Sequence, residues 1–269
     1  MKNLNGKTAL VTGGASGIGK LVALDLAARG MKVVVWDVNA KSLNDLTKEA
    51  KRMNLQVVCM NCDVSNRKDV YAKAKLVKKS ASNVDVLINN AGIVSGKEFM
   101  KTTDEEAERT MRVNTLAHFW TVRAFLQSML ERDSGHIVTI ASAGGLIGVA
   151  GLADYCASKF AAFGFHESVR MELRKKKSGV RTTIVCPYFI DTGMFSGVAT
   201  KTSILLPILK PENVAGRIVE AIIKDKKRVL IPWTVYTTWI LRLLPVALFD
   251  FAADFLGLND AMNKFKGRR

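Results

Sequence analysis

Short apolar runs rich in β-branched residues alternate along the chain with longer stretches that mix apolar and polar positions. The runs have the length of strands, and the stretches between them are long enough for helices that connect parallel strands. Continuously apolar runs such as residues 33–35 fit strands that are buried on both faces of a sheet. The pattern predicts seven strands, at residues 8–11, 32–36, 56–60, 84–88, 136–140, 181–185 and 228–231.

Parallel strands joined by right-handed helical crossovers give an α/β fold. We therefore expect a doubly wound, Rossmann-type, seven-stranded parallel sheet with helices on both faces. The 269 residues, of which 48% are hydrophobic and 24% charged, provide enough apolar material for one large core. Residues 1–232 are expected to form this single domain, and residues 233–269 an apolar and then basic C-terminal helical extension.

Two segments depart from the regular alternation. Residues 188–209 form a long insertion before a helix that starts near Pro211, and long loops of this kind are usually lids or binding loops. Residues 233–258 are strongly apolar and aromatic, but Arg242, Pro245 and two aspartates interrupt them and disfavour a membrane-spanning helix. Two interpretations stay open: an interfacial helix pair on an anionic membrane surface, or a segment that covers the chain's own functional site or a dimer partner.

The formal net charge of +16 is concentrated in three basic clusters. Such clusters attract polyanions without choosing among them, so they fit anionic lipid or nucleic acid, and they also fit simply solvated faces. Because they lack interleaved aromatic residues and zinc-finger spacing, we expect no nucleic-acid partner. The clusters comprise residues 174–177, residues 224–228, and Lys264, Lys266, Arg268 and Arg269.

The cysteines Cys59, Cys62, Cys156 and Cys186 lie inside apolar strand-like or helix-like runs, which favours a reducing compartment over a disulfide framework. Cys59 and Cys62 have C-x-x-C spacing, but no second pair follows at a ligand spacing, so we expect no metal. The first seven residues lead directly into the first strand and leave no room for a signal peptide. The sequence therefore predicts a cytoplasmic protein, either free or peripheral on membranes or lipid droplets.

A glycine-rich turn follows the first predicted strand and opens a helix over residues 20–28. Glycines let the backbone turn sharply and approach a pyrophosphate, whose charge is met by free N–H groups and the helix dipole. Between a strand and a helix, this turn predicts a dinucleotide-binding site. Its candidate cofactor-binding residues are Gly13, Ser16, Gly17, Ile18 and Gly19.

Asp37 ends the second predicted strand, eighteen positions after Gly19. At this place a carboxylate can accept hydrogen bonds from an adenosine ribose, and it would repel a 2′-phosphate. Asp37 therefore favours NAD over NADP, the alternative being that Asp37 only caps the following helix.

Tyr155 and Lys159 are four residues apart on a predicted helix, so both project from one face and the ammonium can lie near the phenol. A free tyrosine has a pKa of about 10, and a nearby cation lowers it by favouring the phenolate. Ser142, thirteen residues before Tyr155, ends a predicted strand and can hydrogen-bond to the same substrate oxygen. The three residues predict a catalytic site for an alcohol or a carbonyl.

Together with Asn114 and residues 89–92 (Asn-Asn-Ala-Gly), this pattern resembles the short-chain dehydrogenase/reductase family along nearly the whole chain. The resemblance implies that Tyr155 is the general acid/base and that Lys159 lowers its pKa and holds the nicotinamide ribose. It implies further that Ser142 orients the alcohol or carbonyl, and that Asn114 supports a water-linked proton relay. In this family the nicotinamide cofactor carries the hydride, and residues 1–232 would be the dinucleotide-binding catalytic domain.

The same resemblance implies further cofactor contacts. Asp63 and Val64 would flank the adenine, and Asn90 and Gly92 the adenosine ribose. Residues 187–192 would contact the nicotinamide carboxamide through Pro187, Ile190 and Thr192. The chain departs from the family at Tyr188, where glycine is frequent, so this side chain would either shape the substrate pocket or pack in its wall.

Residues 151–165, 182–187 and 192–195 are similar to one subgroup, the retinol dehydrogenases and 17β-hydroxysteroid dehydrogenases of the endoplasmic reticulum and lipid droplets. This similarity implies a retinoid, a steroid or another lipid alcohol as substrate, and a homodimer or homotetramer. The chain departs from the subgroup by beginning directly at the fold, without the hydrophobic anchor of those proteins. Two other functions stay open: an NADPH-dependent carbonyl reductase, and a non-catalytic dinucleotide-binding scaffold on a lipid surface.

Overall fold

The computed structural model describes residues 3–81, 83–201, 203 and 205–267, so the predictions on Arg268 and Arg269 lie outside the described residues. Within these ranges, one parallel sheet has the strand order β3-β2-β1-β4-β5-β6-β7. The strands are β1 (Thr8–Thr12), β2 (Lys32–Asp37), β3 (Val57–Asn61), β4 (Val86–Asn89), β5 (Gly135–Ile140), β6 (Val180–Pro187) and β7 (Arg228–Ile231). The predicted doubly wound, seven-stranded sheet is confirmed, and its order reverses between β1 and β4, where such folds bind ligands.

Helices cover both faces of the sheet, as predicted. The helices are α1 (Gly17–Ala28), α2 (Ala40–Arg52), α3 (Arg67–Ala81), α4 (Asp104–Met111), α5 (Ala117–Glu131), α6 (Ala153–Lys175), α7 (Pro211–Ile223), α8 (Thr237–Leu241) and α9 (Val246–Phe255). On one face, Val22 of α1 and Ile218 of α7 are buried in the same apolar core. On the other face, Val77 of α3 and Phe125 of α5 are buried in a second core. Each core contains side chains of the sheet, which is therefore enclosed between the two layers.

The observed ends of several elements differ from the predicted ones by one to three residues. Helix α1 begins at Gly17 rather than at residue 20, because the glycine turn itself forms the first helical turn. Strand β6 extends to Pro187, since its last residue still pairs with Ile231 of β7. The longer β6 brings Pro187 to the edge of the sheet where the strands end.

The segment from residue 233 folds into short helices rather than one long helix. A 3₁₀ turn (Trp233–Tyr236) leads into α8, and Pro245 immediately precedes α9, so the proline separates the two helices. Among the residues that the structure describes, no helix is both long and apolar enough to cross a membrane. The boundary at residue 232 remains a prediction.

Candidate active site

Strand β1 leads into the glycine turn, whose backbone is held too closely for larger residues. Gly13 has a φ of 61° and Gly17 a φ of 54°, the left-handed region that favours glycine. A Cβ atom on Gly13 would lie 2.7 Å from the Cα atom of Ala91. A Cβ atom on Gly19 would collide with the Asn90 amide and the Gly13 carbonyl. Close backbone approach thus requires glycine at Gly13 and Gly19, as the sequence predicts, and the left-handed backbone favours it at Gly17.

The side chain of Asn90 supports this turn from the neighbouring strand β4. Its Nδ2 donates to the carbonyls of Thr12 at 2.9 Å and Gly13 at 3.0 Å. The Thr12 hydroxyl in turn accepts the backbone N–H groups of Asn90 and Ala91 at 3.0 and 3.1 Å. Both amide hydrogens of Asn90 are therefore engaged in shaping the turn.

Asp37 lies at the end of β2 with both carboxylate oxygens bound to backbone. Oδ2 accepts the N–H of Ala15 at 3.1 Å, and Oδ1 accepts the N–H of Asn39 at 3.0 Å. Helix α2 is capped by Asn39, whose Oδ1 accepts the N–H of Ser42 at 3.0 Å. The alternative in which Asp37 caps this helix is wrong, and Asp37 instead links the glycine turn to the second strand.

Tyr155 and Lys159 are buried together on helix α6, with 6% and 3% of their surfaces exposed. The Lys159 Nζ lies 5.7 Å from the centre of the Tyr155 ring and donates to the Ile140 carbonyl at 3.1 Å. Ser142 follows β5, and its hydroxyl accepts the N–H of Gly144 at 3.1 Å and lies 3.5 Å from the Pro187 carbonyl. The ends of β5 and β6 thus hold Ser142 beside the helix that carries the tyrosine.

Burial dominates the ionisation of this group of residues. Burial raises the pKa of Tyr155 above its ordinary value, and a hydrogen bond with Ser142 opposes this rise. Burial lowers the pKa of Lys159 to about 8. The sequence-based expectation of a lowered tyrosine pKa is therefore wrong for the chain by itself, because desolvation of the phenolate outweighs the favourable contacts.

Asn114 lies in a π-helical turn (Arg112–Leu116) between α4 and α5 and is fully buried. Its Oδ1 accepts the N–H of Ile93 and its Nδ2 donates to the Ile93 carbonyl and the Ser158 hydroxyl, each at 2.9 Å. A Cβ atom on Gly92 would lie 3.5 Å from both Asn114 Oδ1 and Lys159 Nζ, so Asn114 and Lys159 flank this glycine. The Asn114 side chain therefore stands behind the pocket wall, and its predicted part in a proton relay stays a prediction.

Asp154 connects three elements around the tyrosine and was not singled out in the sequence. Its two carboxylate oxygens accept hydrogen bonds from the hydroxyls of Ser95 and Thr110, both at 2.8 Å. Ser95 follows β4, Thr110 belongs to α4, and Asp154 lies in the first turn of α6. These partners are distant in the sequence, so no local pattern indicates the contact.

One continuous pocket runs along the ends of the strands from Asp63 to Phe195. It brings together Ser142, Tyr155, Lys159 and every predicted cofactor-binding residue, including Asp37, Val64, Gly92, Pro187, Ile190 and Thr192, whereas Asn114 is not part of its lining. Tyr188 lines it as well. Lining residues that the sequence did not indicate are Trp36, Val38, Cys62, Ala91, Ile93, Arg109, Val113, Ile140, Ala141 and Met194.

The lining of the pocket fits a nicotinamide dinucleotide. The glycine turn at the N-terminus of α1 suits the pyrophosphate, and the polar residues Asp37 and Asp63 lie among apolar ones at one end. Ser142, Tyr155 and Lys159 lie among the residues at the other end, next to an aromatic wall. These features define the class of protein: a dinucleotide-dependent oxidoreductase of the doubly wound fold.

Comparison with known proteins gives the family. A family model described as short chain dehydrogenase matches residues 7–225, and the chain belongs to the short-chain dehydrogenase/reductase family. Human epidermal retinol dehydrogenase 2 is 46% identical over 267 residues, which cover 98% of this chain and 86% of that protein. The chain is accordingly an oxidoreductase that acts on CH–OH groups with a dinucleotide cofactor.

Solved structures show the same fold. A short-chain dehydrogenase/reductase from Burkholderia phymatum in complex with NAD has a TM-score of 0.83 and 27% identity, covering 92% of this chain and 96% of its own. A metagenomic short-chain oxidoreductase in complex with NADP has a TM-score of 0.71 and 27% identity, covering 85% and 96%. Because both cofactors occur among these structures, they support a dinucleotide without selecting one.

The oligomer interface stays a prediction. The π-helical turn of Asn114, helix α5 and helix α6 expose Leu116, Phe119 and Met171, which are 40%, 41% and 49% exposed. The rings of Phe119 and Phe165 lie 4.1 Å apart and join α5 to α6 in this surface.

Proposed function

We propose that the protein is an NAD-dependent dehydrogenase of a hydrophobic alcohol of retinoid or steroid size. One observation carries the proposal: Ser142 and Tyr155 share a pocket with an aromatic wall. Phe195 lies edge-on to the Tyr155 ring with centres 5.6 Å apart, and Phe189 lies 5.0 Å from Phe195. An apolar wall beside two hydroxyl groups suits a substrate with one polar oxygen and a large apolar body. The name of the human relative, a retinol dehydrogenase, agrees with this class.

The chain's own residues account for the proton and the orientation of the substrate. Ser142 and Tyr155 bind the substrate oxygen, which holds the carbinol carbon in a fixed place. Tyr155 takes the hydroxyl proton during oxidation and returns it during carbonyl reduction. Bound NAD supplies the acceptor for the hydride. The Lys159 ammonium, 5.7 Å from the centre of the Tyr155 ring, would oppose the effect of burial by attracting the phenolate that oxidation requires.

Replacing the tyrosine should separate catalysis from binding. The wild type should oxidise all-trans-retinol or a 17β-hydroxysteroid with NAD, measured by the absorbance of reduced nicotinamide. Tyr155→Phe keeps the ring contact with Phe195 but removes the proton-transferring hydroxyl, and kcat should fall by roughly 10²- to 10⁴-fold with NAD affinity unchanged.

Tyr71→Phe is the matched control, because Tyr71 is 36% exposed on α3 and does not line the pocket. Its kcat should equal that of the wild type. If wild type and Tyr155→Phe oxidise a panel of retinoid, steroid and aliphatic alcohols equally poorly, the protein is a non-catalytic scaffold instead.

Asp37 supports NAD as the cofactor. The lining residues contributed by β2, β3 and the segments after them are Trp36, Asp37, Val38, Cys62, Asp63 and Val64. In this part of the described pocket lining there are two carboxylates and no basic residue. A 2′-phosphate there would meet like charge without a compensating cation.

Removing this charge should relax the cofactor preference. Asp37→Asn keeps an oxygen that can accept the N–H of Ala15, so the turn should persist. The ratio of kcat/KM for NADP to kcat/KM for NAD should rise by about tenfold or more, equivalent to about 1.4 kcal/mol. Asp45→Asn, which removes an exposed carboxylate of α2, should leave the ratio unchanged. A wild type that already prefers NADP would contradict the proposal.

We further propose that α8 and α9 rest on an anionic lipid surface, with the protein peripheral and cytoplasmic. Outward residues of both helices are strongly exposed: Ile240 of α8 is 67% exposed, and Phe251 and Phe255 of α9 are 71% and 67% exposed. The Arg242 guanidinium, which interrupts the apolar sequence, is engaged by the Leu146 carbonyl at 2.7 Å and the Phe160 ring. Amphipathic helices with nearby basic residues bind lipid in this way.

Flotation with vesicles tests this surface. The full chain should float with vesicles that contain phosphatidylserine, and Phe251→Ser with Phe255→Ser should reduce the floating fraction, because lost apolar burial weakens interfacial binding. Met53→Ser, which changes a residue that is 53% exposed after α2, is the control and should float like the wild type. Equal flotation of all three proteins would remove the proposed role of α8 and α9.

A further inference from the structure

The last described residues form a segment that returns to the active site. We name residues 258–267 the C-terminal strap. It follows α9 after a sharp turn at Gly257, whose φ of 72° is in the left-handed region. Leu258, Ala261 and Met262 of the strap are buried, with 6%, 1% and 8% of their surfaces exposed. The strap lies beyond residue 225, where the match to the family model ends.

Backbone hydrogen bonds join the strap to the loop between β6 and α7, residues 188–210. The N–H of Lys266 donates to the Ser196 carbonyl at 2.8 Å, and the N–H of Ala199 donates to the Ala261 carbonyl at 3.3 Å. Between these bonds, Gly197 has a φ of 88° and lies directly against the Lys264 carbonyl. A side chain at Gly197 would collide with the strap, so the two segments fit closely.

Apolar side chains of the strap extend this contact towards the catalytic tyrosine. Met262 and Phe265 belong to the same apolar cluster as Tyr155, Phe189 and Phe195. The Phe265 ring lies directly against Gly96, in the segment after β4, where no side chain could fit. Phe265 therefore contacts the segment after β4 and packs against a cluster that includes Phe189 and Val198 of the loop after β6.

Helix α9 holds another part of the same loop. Leu206 of the loop is buried with Ile147, Ala253 of α9 and Leu258 of the strap, and Tyr188 packs against this cluster. The loop is thus fixed at Ser196–Ala199 by the strap and at Leu206 by α9. Phe195 immediately precedes Ser196, so the strap is bonded to the loop directly next to the residue that contacts the Tyr155 ring.

We infer that Phe265 of the C-terminal strap is a positioning residue that fixes the Phe195 wall and thereby sets how well long apolar alcohols bind. The inference rests on the proposed function, since it concerns the apolar part of the alcohol. A short alcohol needs only Ser142 and Tyr155, whereas a long one must also lie along the wall that the strap supports. Loss of this support should therefore weaken the binding of long substrates selectively.

The experiment uses the full chain with NAD and a series of isoprenoid alcohols of increasing length: prenol, geraniol, farnesol and all-trans-retinol. Phe265→Ala should lower kcat/KM for retinol and farnesol by roughly tenfold, the size of effect that a lost apolar contact gives, and leave prenol nearly unchanged. The KM for NAD should not change, because the strap contributes no residue to the glycine turn. Retinol binding, followed by the fluorescence of the ligand, should weaken by the same factor.

Two variants distinguish the loss of the Phe265 positioning contact from a general loss of folding or activity. Phe99→Ala removes the same side chain from a site that is 74% exposed and outside the pocket lining, and it should keep the wild-type length profile. Phe265→Leu retains a bulky apolar group and should restore most of the activity on retinol. An equal loss on all four alcohols, or an unchanged profile in Phe265→Ala, would overturn the inference. A wild type that oxidises none of the alcohols would instead refute the proposed function.

Discussion

Lys159 is buried as a cation with no carboxylate partner among the residues that the structure describes, and the active site depends on this constraint. Within the described part of the chain, its ammonium donates to the Ile140 carbonyl and lies beside the Tyr155 ring. Burial disfavours the charged forms of both side chains, which is why the pKa of Lys159 falls and that of Tyr155 rises. The two desolvated side chains must therefore be held in place by the residues around them, and the rigid walls of the pocket do this.

The sheet provides this rigidity because the ends of parallel strands meet at one edge. β1 gives the glycine turn, β2 gives Asp37, β5 gives Ser142, and β6 leads into the loop that carries Phe195. Hydrogen bonds also hold the glycine turn in place, as the two bonds donated by Asn90 show. The part of the pocket that would hold the substrate is different, because aromatic packing and the C-terminal strap shape it.

The sequence indicated the features that depend on local pattern. Apolar runs predicted the strands, and the glycine turn and the spacing of Tyr155 and Lys159 predicted the pocket. What it could not provide depends on contacts between distant residues. The bonds of Asp154 to Ser95 and Thr110 span 59 and 44 residues, and the backbone bonds of the strap to Ala199 and Ser196 span 62 and 70. The direction of the Tyr155 pKa shift was mispredicted for the same reason, because burial arises only when the fold closes.

The pH dependence of unfolding tests the buried cation most directly. Lys159 has an ordinary pKa of 10.5 and a folded pKa of about 8, so the unfolded chain holds more protons between these values. The titration of Lys159 should therefore raise the free energy of unfolding as pH rises from about 8 to about 10.5. The increase should be at most about 1.4 kcal/mol per pH unit. The free energy of unfolding of the wild type minus that of Lys159→Met should rise across this window. A difference that stays flat or falls would contradict the account.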